Sequence, residues 1–200
     1  MVKEQIIVLD PGHGGLDSGA VSQGYFEKHF NWKIAYGIKR QLVQHYCNVV
    51  IVQPSESFSS TARDEMVVPP MVAKYLKADY YLSIHQNAGG GRGFESYVRK
   101  FEVGTESDRK RGIIHDEIMA GLSQYGVVDR GKKYEDFLVL VLSDDKTCDS
   151  CLLEYLFIDS TDIELLKNNN FIDNVSNWTA YGLVRALNIP LRSEVRWTTE

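Results

Sequence analysis

Apolar residues along this chain fall into two rhythms. Short runs rich in β-branched and aliphatic residues, at 6–9, 49–52 and 80–84, read as strands buried on both faces. The first closes on Asp10-Pro11-Gly12, and glycines 89–91 follow the third, as expected of turns and loops. Residues 12–24, rich in Gly, Ser and Asp, read as a loop. Phe30, Ile34, Ile38, Leu42 and Val43 then recur at three- and four-residue steps, which predicts an amphipathic helix over 26–46. A second helix is expected over 61–76, broken or restarted at Pro69-Pro70, because proline lacks the N–H that a helix interior uses. Helical spacing returns at 106–124 and near 161–168 and 171–187, with Pro190 ending the last. Further strands are expected at 94–98, 137–142 and 151–155, and a turn at 129–131.

Strands alternating with helices predict one α/β domain with a largely parallel sheet covered on both faces. No repeat or second domain is evident. Residues 1–189 read as the domain and 190–200, which lack periodicity, as a tail or the start of a linker. Composition narrows the function. With 44% apolar and 24% charged residues the chain is ordinary for a folded domain, and its net charge of −5 argues against non-specific nucleic-acid binding. The N-terminus, with Glu4 and a short apolar run, does not read as a signal peptide, and no run approaches a membrane span. Cytoplasmic synthesis without membrane insertion is expected. Three cysteines are too few and too odd in number for a disulfide framework. Cys148-x-x-Cys151 has the spacing of a redox pair or half a zinc site, but without a second such pair it reads as two ordinary thiols.

Ligands of open α/β sheets bind beyond the carboxyl ends of the strands. His13 and His85 follow strand ends there, each among small residues that leave room for a metal and a substrate. Glu27 stands in the first turn of a helix, and Glu154 lies inside a strongly apolar strand. A catalytic zinc takes three protein ligands and leaves one position open, and two histidines with a glutamate form one accepted set. A buried carboxylate beside it suits a general base. Blander readings stand next to these. A histidine after a strand is more often a capping or core residue. Glu27 also fits a helix-start acid, and Glu154 a buried ion pair with Arg130. His29, His45 and His115 read as surface or boundary residues on helices.

The motifs as a set resemble the N-acetylmuramoyl-L-alanine amidase type 3 family. The resemblance is carried by Ile7-Val8-Leu9-Asp10-Pro11-Gly12-His13-Gly14-Gly15, by Glu27 at a helix start, by Ser83-Ile84-His85-Gln86-Asn87-Ala88, by Asp129-Arg130-Gly131, and by Leu152-Leu153-Glu154-Tyr155-Leu156-Phe157-Ile158. It spans about residues 5–188. It implies a mixed, mainly parallel sheet of about six strands. It also implies one zinc ion on His13, Glu27 and His85, Glu154 as the catalytic glutamate, and hydrolysis of the amide between N-acetylmuramic acid and L-alanine in peptidoglycan. Asn87 and Arg130 are candidates for substrate contact or for support of the site. Leu156 and Ser160 stand where the family commonly has Gly and Asn. A monomer is expected, acting on the wall as an endolysin released by a holin, or as an enzyme freed when a sporulating mother cell lyses. Two other readings are a zinc peptidase acting on the stem peptide and a non-catalytic wall-binding module.

Overall fold

A computed structural model describes residues 4–53, 62–144 and 148–192. In chain order the elements are β1 (Gln5–Pro11), the short hairpin β2 (Val21–Ser22) and β3 (Tyr25–Phe26), α1 (Glu27–Leu42), β4 (Cys47–Ile51), α2 (Ala62–Leu76), β5 (Tyr80–Asn87), β6 (Phe94–Val98), α3 (Glu106–Leu122), β7 (Asp129–Tyr134), α4 (Leu138–Ser143), β8 (Asp149–Phe157), α5 (Ile163–Leu166) and α6 (Asn169–Leu187). Six strands form one sheet in the order β4-β1-β5-β8-β6-β7. The first four of these are mutually parallel. β6 runs antiparallel to β8, and β7 runs parallel to β6. The expected mixed, mainly parallel α/β sheet is therefore what forms.

Strands β1, β5 and β8 sit mid-sheet, which is why they read as unbroken apolar runs. One face of the sheet packs on α1, α3 and α6 through Ile7, Leu9, Leu82, Leu153 and Tyr155. The other packs on α2 and α4 through Val8, Tyr81 and Leu152. Helix α1 buries Phe30, Ile34, Ile38 and Leu42, four of the five residues that its periodicity selected, while Val43 at its C-terminal cap is exposed. Thr105 caps α3 by accepting from the Asp108 N–H, and Asn168 caps α6 by accepting from Asn170 and Phe171.

Four expectations are corrected. Residues 137–142 are not a strand, because 138–143 form α4, which buries Val139, Leu140 and Ser143. A six-residue apolar run carries too little periodicity to tell helix from strand. Here the chain crosses from the sheet's edge back to its centre and must cover a face rather than add a strand. The turn at 129–131 is instead the start of β7. Helix α2 continues through Pro69 and Pro70, both buried, so packing outweighs the two missing donors. His45 and His115 are buried, not surface residues. His115 bridges Ser96 Oγ and Asp129 Oδ1, at 2.8 and 3.1 Å. Of the tail, 193–200 lie outside the described residues, as does Thr61 of the second expected helix. Among the described residues no helix is long and apolar enough to cross a membrane.

Arg111 on α3 secures the sheet's outer edge. It is fully buried, donates to the carbonyls of Ser96 (3.1 Å) and Lys133 (3.0 Å), and pairs with Asp108. Methionine there leaves two strand carbonyls and one carboxylate without their donor. A loss of about 3 kcal/mol is expected, read as a lower urea midpoint at unchanged slope.

Candidate active site

The carboxyl ends of β1 and β5 and the start of α1 converge on one point. β1 ends at Pro11, and Gly12 then lies so close to β5 that a Cβ on it would sit 2.1 Å from the His85 ring. The next residue, His13, has a left-handed backbone (φ 65°), uncommon for a residue with a side chain. Gln53 stabilises this turn by donating to the carbonyls of Pro11 and His13. The ring of His13 is thereby turned toward Glu27 and lies edge-on to His85, with centroids 5.0 Å apart.

Glu27 lies between the two histidines. His13 Nε2 is 3.3 Å from its Oε2, and His85 Nδ1 is 3.1 Å from its Oε1. The carboxylate is also fixed from behind: Ala20 N–H donates to Oε2 at 2.9 Å, Gln86 N–H to Oε1 at 3.0 Å, and Asn31 Nδ2 to Oε1 at 3.3 Å. Asp17 Oδ2 is 3.0 Å from His13 Nδ1, which orients that ring and leaves Nε2 facing Glu27. One donor atom from each of His13, Glu27 and His85 lies within 4.8 Å of the others. Two imidazoles and a carboxylate crowded this tightly fit a divalent cation of the zinc type.

Charge in the site agrees with that. Burial pushes the Glu27 carboxyl up, but hydrogen bonds and charge from both histidines outweigh it and hold it far below the ordinary range. Burial would lower His13, yet Glu27 and Asp17 lift it to about 9. His85 is likewise raised by Glu27 and Glu154 against burial. A cluster that favours protons this strongly on its nitrogens is one that a metal cation would compete for.

Glu154 stands opposite His85 across the β5–β8 ladder. Burial, with smaller contributions from Glu27 and Glu95, pushes its carboxyl up to about 7 against the histidines. Its Oε2 is buried with no hydrogen-bond partner among the described residues. The register of β8 slips by one residue just after it, so the strand bulges at the site. The cleft here measures about 320 Å³. His13, His85 and Glu154 line its floor, and Met66, Phe137 and Leu138 form an apolar wall.

Of the four residues singled out for chemistry, His13, His85 and Glu154 thus line one cleft and Glu27 is buried between the two histidines, while Asn87 and Arg130 lie beside it. Arg130 pairs with Glu95 at 2.6 Å, not with Glu154. Asn87 also donates to Glu95, at 2.7 Å, and its Oδ1 accepts from Ala88 N–H, so both ends of its amide are engaged. Cys148 and Cys151 are buried and are not joined in a disulfide. Sequence reasoning passed over Asp17, Asn31, Asp10 and Glu95. Asn31 was findable, one helical turn from Glu27 on the same face. Asp10, buried below the site, accepts from Tyr81 and Ser83. Nothing in the local sequence marked Glu95.

Comparison with known proteins agrees with this geometry. Residues 7–185 match the model of a family described as N-acetylmuramoyl-L-alanine amidase. The chain is 38% identical to N-acetylmuramoyl-L-alanine amidase CwlM of Bacillus licheniformis, over 92% of this chain and 69% of that protein. It is 34% identical to the endolysin of Bacillus phage SPP1, over 94% of this chain and 68% of that protein. Its fold superposes on the crystal structure of an N-acetylmuramoyl-L-alanine amidase from Clostridium difficile 630 with a TM-score of 0.81. That match has 25% identity and covers 92% of this chain and 97% of that one.

Proposed function

The chain belongs to the N-acetylmuramoyl-L-alanine amidase family and hydrolyses amide bonds of peptidoglycan, and from that premise we propose that it works with one zinc ion held by His13, Glu27 and His85 and with Glu154 as general base. The observation that carries this reading is the bare, buried Oε2 of Glu154 facing the His–Glu–His cluster. A buried carboxylate without a partner is costly and calls for a role.

A zinc ion in this site supplies an electrophile that polarises the amide carbonyl and acidifies water. The chain's own residues do the rest. Asp17 holds His13 in the orientation that leaves Nε2 for the metal. Ala20, Gln86 and Asn31 hold Glu27 still between the two rings. Glu154 takes a proton from the attacking water and returns it to the L-alanine nitrogen as the C–N bond breaks. The apolar wall of Met66, Phe137 and Leu138 limits water around that transfer. Asn87 positions the neighbouring Glu95, and Arg130 meets the substrate. Residues 1–189 act as the catalytic domain, with 190–200 as tail or linker. The protein works as a monomer and reaches the wall after lysis or release, and its 34% identity to a phage endolysin supports the second of these readings.

The decisive experiment is digestion of purified walls with product masses. Intact stem peptides beginning with L-alanine are expected, whereas a stem-peptide peptidase would release truncated ones. The purified protein is expected to hold about one zinc per chain. A strong chelator should abolish hydrolysis and zinc should restore it, and full activity of metal-free protein would sink the scheme.

A further inference from the structure

Next to Glu154 the sheet carries a second buried carboxylate, and the fold treats the two oppositely. Glu95 on β6 is the direct antiparallel partner of Glu154 on β8, so both side chains stand on the same face as neighbours. Glu154 Oε2 has no hydrogen-bond partner among the described residues. Glu95, with a side chain only 4% exposed, accepts from Asn87 Nδ2 (2.7 Å), Tyr97 OH (2.8 Å), Arg130 Nε (2.6 Å) and Lys133 Nζ.

A local irregularity makes that gathering possible. In the β6–β7 ladder Phe94 faces Asp129 and Ser96 faces Lys132, so Arg130 and Gly131 together stand against Glu95. Gly131 takes the left-handed conformation (φ 89°) that such a bulge asks for. On a regular strand, residues three apart point to opposite faces. The extra residue brings both Arg130 and Lys133 to Glu95, beside the site. Arg130 is held at two points: its Nε is on Glu95, and its guanidinium lies 4.8 Å from the centroid of the Phe157 ring. Its hydrogen bonds among the described residues run through Nε, which leaves the two Nη groups for another acceptor. Arg130 and Lys133 thus share the one carboxylate of Glu95. Both side chains are about one-third exposed, at 34% and 36%.

We propose that Arg130, supported by Lys133 and positioned by Glu95, is the subsite that takes a free carboxylate of the stem peptide on the leaving-group side of the scissile amide. The inference rests on the amidase reading with Glu154 as base. In peptidoglycan the residue after L-alanine is a glutamate joined onward through its side chain. Its α-carboxyl therefore branches off the peptide, as an acid in some walls and as an amide in others. That carboxyl lies roughly 7 Å along the chain from the scissile nitrogen, at about 3.5 Å per residue. Strands β8 and β7 are roughly 10 Å apart at 4.8 Å per spacing, and Arg130 folds back over Glu95 to shorten the gap. A guanidinium presenting its planar edge matches a carboxylate in charge and geometry, and a carboxamide in neither.

The test uses the zinc-loaded full chain and two synthetic muropeptides that differ only in that group, α-carboxylate against α-carboxamide. Wild type is expected to prefer the acid by about tenfold or more in kcat/KM, mainly through KM, as loss of a charge-assisted pair implies. Arg130→Gln should bring the ratio near one by losing rate on the acid alone, and Lys133→Gln should reduce it partly. Equal cleavage of both substrates by wild type overturns the subsite and leaves the amidase reading intact. So does an Arg130→Gln enzyme slowed alike on both, since that marks a structural role. Cleavage of neither by wild type overturns the amidase reading and the subsite with it.

Discussion

Glutamine in place of Glu154 is expected to slow wall hydrolysis by about a thousandfold while fold and metal content stay as they are. The size follows from what a positioned base contributes to a proton transfer, between about 10² and 10⁴ in rate. The separation of effects follows from the structure. Glu154 is not one of the three clustered donors, so metal affinity has little reason to change. Its Oε2 makes no hydrogen bond among the described residues, so that oxygen's interactions do not hold β8 in place. Glutamine keeps the shape and removes a group whose charged form is disfavoured by burial, so thermal stability should hold or rise slightly. Dye release from labelled walls, zinc content and melting temperature measured on one preparation test all three. Turnover equal to wild type would remove Glu154 from the mechanism, and lost activity accompanied by lost zinc would make it a ligand rather than a base.

The candidate site was more legible in the sequence than the fold around it, for physical reasons. β1 and β5 are buried on both faces, and a continuous apolar run that stops at Pro-Gly or at Asn-Ala-Gly places His13 and His85 at strand ends before any coordinates exist. Glu27 was legible because it begins a helix whose periodicity is strong. What failed was local. The 137–142 run is too short to show a period, and its fate as a helix was decided by the uncovered face over Tyr81 and Leu152. Asp129-Arg130-Gly131 has turn chemistry because it is a bulge, and a bulge inside a strand looks like a turn from sequence. Glu95 could not be found at all. Its partnership with Glu154 exists because β6 lies between β8 and β7 and runs antiparallel to β8, a fact of topology that no short pattern encodes. The same holds for the alternative weighed for Glu154: Arg130 is nearby, but the bulge commits it to Glu95 instead.

Alanine at Gly12 carries the other large expected effect, because it moves a ligand without touching one. Gly12 does not have a positive φ, so alanine meets no backbone penalty there and the consequence is steric. The added Cβ would lie 2.1 Å from His85 Cε1 and 2.2 Å from its Nε2, well inside any real contact. Something must move by an ångström or more. Gly12 itself is tied down: its N–H donates to the Ile84 carbonyl at 2.9 Å, and its carbonyl accepts from Asn31 Nδ2 at 2.9 Å. The His85 ring is the freer partner: among the described residues its hydrogen bond runs to Glu27 Oε1, and it otherwise packs edge-on against His13. Gly12→Ala should therefore swing His85 out of the cluster. Misplacement on that scale costs about a hundredfold in rate, and zinc affinity should fall with it. Gly112→Ala is the matched control, since its Cβ would meet only Lys132 Nζ at 3.9 Å and a helix favours alanine. Competition for zinc with a coloured chelator, followed by wall hydrolysis at saturating zinc, separates lost affinity from lost geometry. A Gly12→Ala protein that binds zinc and cuts walls like wild type would show that His85 is not held where the metal needs it.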